Sequence, residues 1–413
     1  MFLRTTLLLA GALVFFCALV APARGEEDVR EIIIKFRPGI AEAAKASLAK
    51  TCGGRELRTF YRDHFRVLTL PAGAKMQAVL ARLARHPAIM YAEPNYRVRA
   101  FSIPDDASYP LQWNFQLINM EAAWDISTGD GVTVAVLDSG ISPYGDDGFG
   151  DRLLEGYNAF LNREGLWQDF HSHGTHVAGT IGQETNNNGT GVAGIAHSAR
   201  LLPVKALNRY GYGSNATLAA GIRWAVDNGA DIINMSLGSS RGGLALKEAV
   251  EYAHEQGVVL VAATGNDASA DTLTPVSYPA AYEQVIAVGA VDSLKNRAFY
   301  SNGGEELDLV APGGIPDDFN ADGYSDAVMQ ETFKLYAGYP RRALDWGLYL
   351  MMGTSMASPH VAGVTALIKS LHPEWTPDHI RQALIATAVD LGEPGRDDHF
   401  GYGLVDAAAA LAY

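Results

Sequence analysis

Cysteine is nearly absent. The 413 residues hold two, Cys17 and Cys52, and none after them. A disulfide framework and a thiolate zinc site are thereby excluded from the body of the chain. Basic charge is also scarce: 32 Lys+Arg stand against 46 Asp+Glu, a net of −14. That argues against nucleic acid as the main partner. No apolar run after the first 20 residues is long enough to span a bilayer, which takes roughly 20 residues. Charged residues make up 19 % and hydrophobic ones 48 %. This is globular composition, and it excludes disorder, collagen and coiled coil as the main theme. At about 150 residues per domain, the length predicts two or three domains, or one large domain with appendages.

Charge is unevenly spread. Residues 1–100 carry 16 Lys+Arg against 8 Asp+Glu, and the remainder 16 against 38. A basic front segment and an acidic body are complementary and can bind each other. The first residues read as an address. Met1 to Arg4 ends in a positive charge, Thr5 to Val20 is almost all apolar, and Ala21-Pro22-Ala23 supplies small residues for a signal peptidase. We read residues 1–25 as a signal peptide that takes Cys17 with it, and the mature protein as secreted. A retained anchor is the alternative.

Residues 26–100 read as a small α+β domain. Glu31 to Phe36 and Phe65 to Leu70 are strand-like, with another strand near Leu57 and a short one at Ile89 to Ala92. Ala41 to Lys50 and Ala74 to Arg85 favour helix. The order β-α-β-β-α-β predicts a ferredoxin-like arrangement, which by itself says nothing about function.

Residues 101–413 read as an α/β domain. Val132 to Leu137, Arg200 to Leu207, Asp231 to Leu237, Val258 to Ala263 and Val285 to Val291 are near-continuous Val/Ile/Leu/Ala runs. With helical segments such as Thr217 to Asp227 between them, they predict a mainly parallel sheet covered on both faces. Chemistry then collects at the carboxyl ends of the strands. Three segments stand at such places. VAVLDSG puts Asp138 at a strand end; HSHGTHVAG carries His171, His173 and His176; GTSMASPHVAG carries Ser355 where a helix opens. Singly these are a turn residue, a satisfied histidine and a helix cap. Together, in this order and with these glycines, they are more specific.

These segments resemble the subtilases, secreted subtilisin-like serine proteases made with an N-terminal inhibitory propeptide. The resemblance covers nearly the whole chain after residue 25. It implies a three-layer subtilisin-like catalytic domain at 101–413 and a propeptide at 26–100. The propeptide would assist folding, inhibit the cleft and be cut off autocatalytically near Ala100. It implies a serine endopeptidase in which Ser355 is the nucleophile, His173 the base and Asp138 its orienting carboxylate. Asn266, ending VVLVAATGN, would be the side-chain oxyanion donor. Gly211, Tyr212 and Gly213 would form one edge of a groove for an extended peptide, and Ser236, Leu237 and Gly238 the other. Ala263, Thr264 and Ser277 would shape the pocket for the residue before the cut. None is charged, which predicts a neutral, mainly apolar side chain there.

The resemblance also implies Ca²⁺. Asp106, Asp147 and the loop residues Thr185, Asn188, Thr190 and Val192 would supply hard oxygen ligands at one site. A second segment, with Asp318, Asn320, Asp322, Gly323, Tyr324 and Asp326, matches positions 1, 3, 5, 6, 7 and 9 of an EF-hand loop. Met329 occupies position 12, and Glu331 is the candidate substitute. Two rivals stay open. His171, His173 and His176 could bind zinc in a metal-dependent hydrolase, or the scaffold could bind without catalysis. Partners are protein and peptide substrates and the chain's own propeptide. No nucleic acid and no membrane after signal removal are expected, and the protein is expected to be a monomer.

Overall fold

A computed structural model describes residues 31–52, 55–60, 65–71, 73–95, 103–145, 147–185, 189–335 and 344–413. They form two compact units, one before residue 100 and one after it.

The first unit runs β1 (Glu31–Phe36), α1 (Glu42–Thr51), β2 (Arg55–Phe60), β3 (Phe65–Thr69), α2 (Met76–Ala84) and β4 (Ile89–Pro94). The sheet order is β2-β3-β1-β4, all antiparallel. Alternation along β1 buries Ile32 and Ile34, which meet Leu68, Leu70, Leu83, Ile89 and Cys52 in one small core. Order and pairing are ferredoxin-like, as the segment pattern predicts.

The second unit begins with two short helices, α3 (Trp113–Leu117) and α4 (Met120–Trp124). Its sheet contains β5 (Thr133–Asp138), β6 (Tyr157–Asn158), β7 (Arg163–Glu164), β8 (Arg200–Lys205), β9 (Ile232–Met235), β10 (Val259–Ala263), β11 (Val285–Val291) and β12 (Leu309–Pro312). The strand order is β12-β11-β10-β9-β5-β8-β6-β7. Every pairing is parallel except β6 with β7. Strands β5, β9, β10 and β11 are buried at every residue, which is why they read as unbroken apolar runs.

The helices are α5 (His173–Gly182), α6 (Asn215–Asp227), α7 (Leu244–Glu255), α8 (Thr354–Leu371), α9 (Pro377–Ala386) and α10 (Ala407–Leu411). Gly221 lets α6 lie close on the sheet, because a Cβ there would stand 2.5 Å from Leu137 Cδ1. Helix α8 is buried along most of its length and carries Pro359 inside it. No helix among the described residues is long and apolar enough to cross a membrane.

Strand β5 has β8 on one side and β9 on the other. From β5 the chain builds β6, β7 and β8 on one side and then crosses to β9 on the other, so the direction of connection reverses at β5. A crevice forms at such a switch point, outside the carboxyl ends. Asp138 is the last residue of β5.

The sequence reading names no hairpin after Leu309. Strands β13 (Val328–Leu335) and β14 (Leu344–Met351) pair antiparallel, from Val328 opposite Met351 to Leu335 opposite Leu344.

Leu137 is fully buried in β5. Leu137→Ala should cost about 2–5 kcal/mol, read as a lower denaturant midpoint.

Candidate active site

Asp138 has no exposed surface. Its Oδ1 accepts the backbone N–H of Ser139 at 2.6 Å. Both its oxygens face His173 Nδ1, at 2.9 and 3.0 Å. A carboxylate can only accept, so Nδ1 carries the proton and Nε2 keeps its lone pair. Burial alone would lower the basicity of His173, but the Asp138 charge and hydrogen bond and the Asp169 charge outweigh it. The imidazole is therefore held above its ordinary value.

Ser355 is the second residue of α8, so its backbone N–H is one of the four that open a helix without an intrahelical acceptor. Its Oγ donates to the Ser236 carbonyl at 3.1 Å, while Ser236 Oγ donates to the Ser355 carbonyl at 2.8 Å. Behind them, Asn234 Nδ2 donates to Ser236 Oγ and Ser358 Oγ to Asn234 Oδ1. Among the described residues, the Ser355 hydroxyl bonds Ser236 rather than His173. Nucleophile–base hydrogen bonds are often loose in resting sites. His173 and Ser355 line one cavity of about 620 Å³.

Asn266 closes the constellation. Its Oδ1 accepts both the backbone N–H and the hydroxyl of Thr354, each at 2.9 Å. An N–H must meet an oxygen, so the amide's orientation is fixed and Nδ2 is left to donate. That nitrogen stands 3.2 Å from where a Cβ on Gly353 would lie. Gly353 has φ 146°, so glycine provides both the turn and the room before Ser355.

The arrangement suits acyl transfer: a hydroxyl, an oriented imidazole and two N–H donors share one cleft. The comparisons agree. Residues 129–403 match the Subtilase family. The chain is a subtilase.

Residues 29–95 match the Fervidolysin N-terminal prodomain. The subtilase is 37 % identical over 396 residues to the thermophilic serine proteinase of Bacillus sp. strain AK1, covering 95 % of this chain and 90 % of that one. It is 36 % identical over 414 residues to subtilisin E of Bacillus subtilis strain 168, covering 98 % and 97 %. Among solved structures, a protease from Pseudoalteromonas arctica superposes with TM-score 0.65 at 35 % identity, over 75 % of this chain and 99 % of that one. Fervidolysin from Fervidobacterium pennivorans superposes with TM-score 0.63 at 26 % identity, over 93 % of this chain and 61 % of that one. The protein is a subtilisin-like serine endopeptidase made with a prodomain.

Of the groove residues expected for the subtilase, Gly211, Tyr212, Gly213, Ser236, Leu237 and Gly238 all line the cavity with His173 and Ser355. Ala263 and Ser277 line a second cavity of about 510 Å³ with Asn266 and Ser355. Thr264 does not line it. Its side chain is fully buried, with Oγ1 donating to the Asn302 carbonyl. The pocket is also not free of charge. Asp267 lines it, tethered by Asn302 Oδ1 through its own backbone N–H. Its place directly after Asn266 was the available signal.

The zinc alternative fails on geometry. His176 is fully buried, and its Nε2 lies 3.1 Å from the Val328 carbonyl and 3.2 Å from the Tyr349 carbonyl. It faces the β13–β14 hairpin, while His171 and His173 line the cleft. Among the described residues no three His, Cys, Asp or Glu side chains form a metal cluster.

At the first calcium candidate, Asp106 and Asp147 are buried. Ser108 N–H donates to the Gly191 carbonyl and Val192 N–H to Asp147 Oδ2 at 2.9 Å. A Cβ on Gly191 would strike Asp147 Oδ2 at 1.9 Å, so glycine lets the carboxylate lie on the loop. Thr185 Oγ1 is used internally, between Gln183 O and Gly194 N. Asn188 lies outside the described residues. In the second loop, Asp318 and Asn320 oxygens both accept the Asp322 N–H, and Asp322 Oδ1 accepts the Tyr324 N–H. Asp326 instead turns inward, accepting from Ser293 Oγ and Phe319 N. Glu331 does not complete this loop, for its Oε2 accepts the Asp147 N–H.

Burial pushes the His176 imidazole down to about 3 from 6.5. The unfolded chain takes up a proton below pH 6.5 that the native state refuses. Stability from this site is therefore whole above pH 6.5 and is lost as pH falls toward 3, by about 1.4 kcal/mol per unit. His176→Gln keeps a donor without titrating. Its melting temperature should fall less steeply than the parent's between pH 6 and 4, both carrying Ser355→Ala.

Proposed function

We propose that Ser355, His173 and Asp138 act as one catalytic triad with Asn266 as oxyanion donor. Ser355 Oγ attacks the scissile carbonyl while His173 Nε2 takes its proton. Asp138 holds the tautomer and balances the imidazolium. Asn266 Nδ2 and the Ser355 N–H receive the charge on the carbonyl oxygen. His173 then gives the proton to the leaving amine, and water repeats the cycle on the acyl-enzyme. The observation that carries this reading is the His173–Asp138 contact in a cavity that Ser355 also lines. Substrate is an extended peptide between the Gly211–Gly213 and Ser236–Gly238 segments. Ala263 and Ser277 shape the pocket before the cut, with Asp267 at hand for a basic or polar side chain.

The chain matures by its own cut near residue 100, between a propeptide at 26–100 and the catalytic domain at 101–413, after export on a signal peptide at 1–25. The opposite charge of the two parts supports their association before release. The product is a secreted monomer. Ser355→Ala should leave the propeptide attached, and N-terminal sequencing of secreted wild type and variant checks it. The same N-terminus in both would overturn self-processing. Asp138→Asn should lower kcat about 10⁴-fold, and Asn266→Ala should cost about 3–4 kcal/mol of transition-state stabilisation, both read from kcat/KM on a peptide substrate.

Ca²⁺ is held by Asp106, Asp147 and the loop of Thr185, Asn188, Thr190 and Val192. The buried carboxylates and the Gly191 cradle fit a hard cation. Bound there, it ties the loop after α5 to the start of the catalytic unit. The Asp318, Asn320 and Asp322 turn is at most half of a second site, since Asp326 and Glu331 serve elsewhere. Chelation should lower the melting temperature of the Ser355→Ala protein. Added Ca²⁺ should restore it, by about 2.7 kcal/mol at one hundred times its Kd. Asp147→Asn should shrink that response.

A further inference from the structure

Asp169 is a buried carboxylate, 3 % exposed, that the reaction above does not use. Its Oδ1 accepts from Ser139 Oγ at 2.9 Å, His171 N at 2.7 Å and Ser172 N at 3.1 Å. Its Oδ2 accepts from Thr175 N at 3.0 Å and Thr175 Oγ1 at 2.7 Å. Three of the five donors are backbone N–H groups, which can only donate, so Asp169 serves as an acceptor. These bonds bracket His173 from two residues before it to two after. They also reach across to the end of β5, because Ser139 Oγ accepts the Gly174 N–H at 3.0 Å and Ser139 N–H binds Asp138. Ser172 has φ 84° without being glycine. Its strained turn into α5 is held by Asp169 on its N–H and by Thr332 Oγ1 on its carbonyl at 2.8 Å.

A buried cation completes the cluster. Lys205, opposite Asp138 across the β5–β8 pair, is 7 % exposed, and its Nζ donates to the Ser139 carbonyl. The groups that bear on His173 are Asp138 on β5, Asp169 and His171 ahead of α5, His176 within α5 and Ser355 on α8, with Lys205 on β8 acting on it through Asp138 and Asp169. His176 is neutral at working pH, since burial pushes it down to about 3. Two carboxylates then face one ammonium while His173 is neutral. The charges balance when His173 takes a proton.

We propose that Asp169 is a positioning residue for the base: it locks the end of β5 and the first turn of α5 into one unit, and with Lys205 it sets the charge that meets the His173 imidazolium. This rests on the triad reading. The charge of Asp169 supports the protonated imidazole, and removing it weakens that support.

The test is the pH profile of kcat/KM for full-chain enzyme carrying Asp169→Asn or Lys205→Met, with active sites counted by a serine-directed phosphonylating reagent. Asp169→Asn should move the acidic limb to lower pH and lower kcat at least about tenfold with KM little changed. Lys205→Met should move the limb to higher pH. Ser139→Ala, which removes a bond but no charge, should lower kcat with the limb in place. A limb unmoved in Asp169→Asn, or moved the same way by both charge variants, overturns the proposal. Should Asp169→Asn not fold, an acidic limb unchanged in Lys205→Met overturns it alone. The triad reading fails separately, if Ser355→Ala or Asp138→Asn retains full activity.

Discussion

Asp138 is a carboxylate with no exposed surface at the end of a central strand, and much of the surrounding structure answers the cost of keeping it there. An unpaired charge in such a place is worth several kcal/mol of destabilisation. The Ser139 N–H and the His173 imidazole supply hydrogen bonds to it. Lys205, one strand over, supplies opposite charge. The switch in strand order at β5 opens the crevice in which the imidazole then has somewhere to face. Fold and side-chain chemistry meet at this point: the same residue that is hardest to bury is the one that fixes which nitrogen of His173 carries the proton.

The nucleophile end is built on a different rule. Helix α8 is buried, so its first amides must be answered by something other than water. Asn266 takes the Thr354 amide with its oxygen, and this engagement commits its nitrogen to the cleft. The direction in which this amide can donate is therefore set by a structural need of the helix. Ser236 and Asn234 instead engage the Ser355 carbonyl and the Ser358 hydroxyl, joining the end of β9 to the first turns of α8 through a short buried chain of hydrogen bonds.

What could be read beforehand follows from these rules. The strands were legible because both faces are covered, leaving nothing to interrupt the Val/Ile/Ala runs. Asp138, His173, Ser355 and Asn266 were legible only jointly, through their flanking glycines and their order. The β13–β14 hairpin was not. Its buried Gln330, Glu331 and Thr332 look like surface residues in the sequence. Their partners are the Ala193 carbonyl, the Asp147 amide and the Ser172 carbonyl, all far away along the chain. Thr264 does not line the pocket for a related reason: just past the end of β10 its side chain turns inward to a distant partner, the Asn302 carbonyl. Asp169 escaped because a single acid in a loop carries no pattern, and Asp267 offered only its place beside Asn266.

The buried polar residues and the Gly211–Gly213 loop differ in how firmly they are held. Each chemical group is held from more than one direction. His173 is held by Asp138, by the capped turn of α5 and, through Ser172 and His176, by the hairpin. The Gly211–Gly213 edge is held by little. Gly211 sits at φ 78° and Tyr212 is 72 % exposed, on a loop closed mainly by Asn208. Few buried contacts mean a low cost of local adjustment, so this loop can shift without disturbing the Asp138–His173 contact.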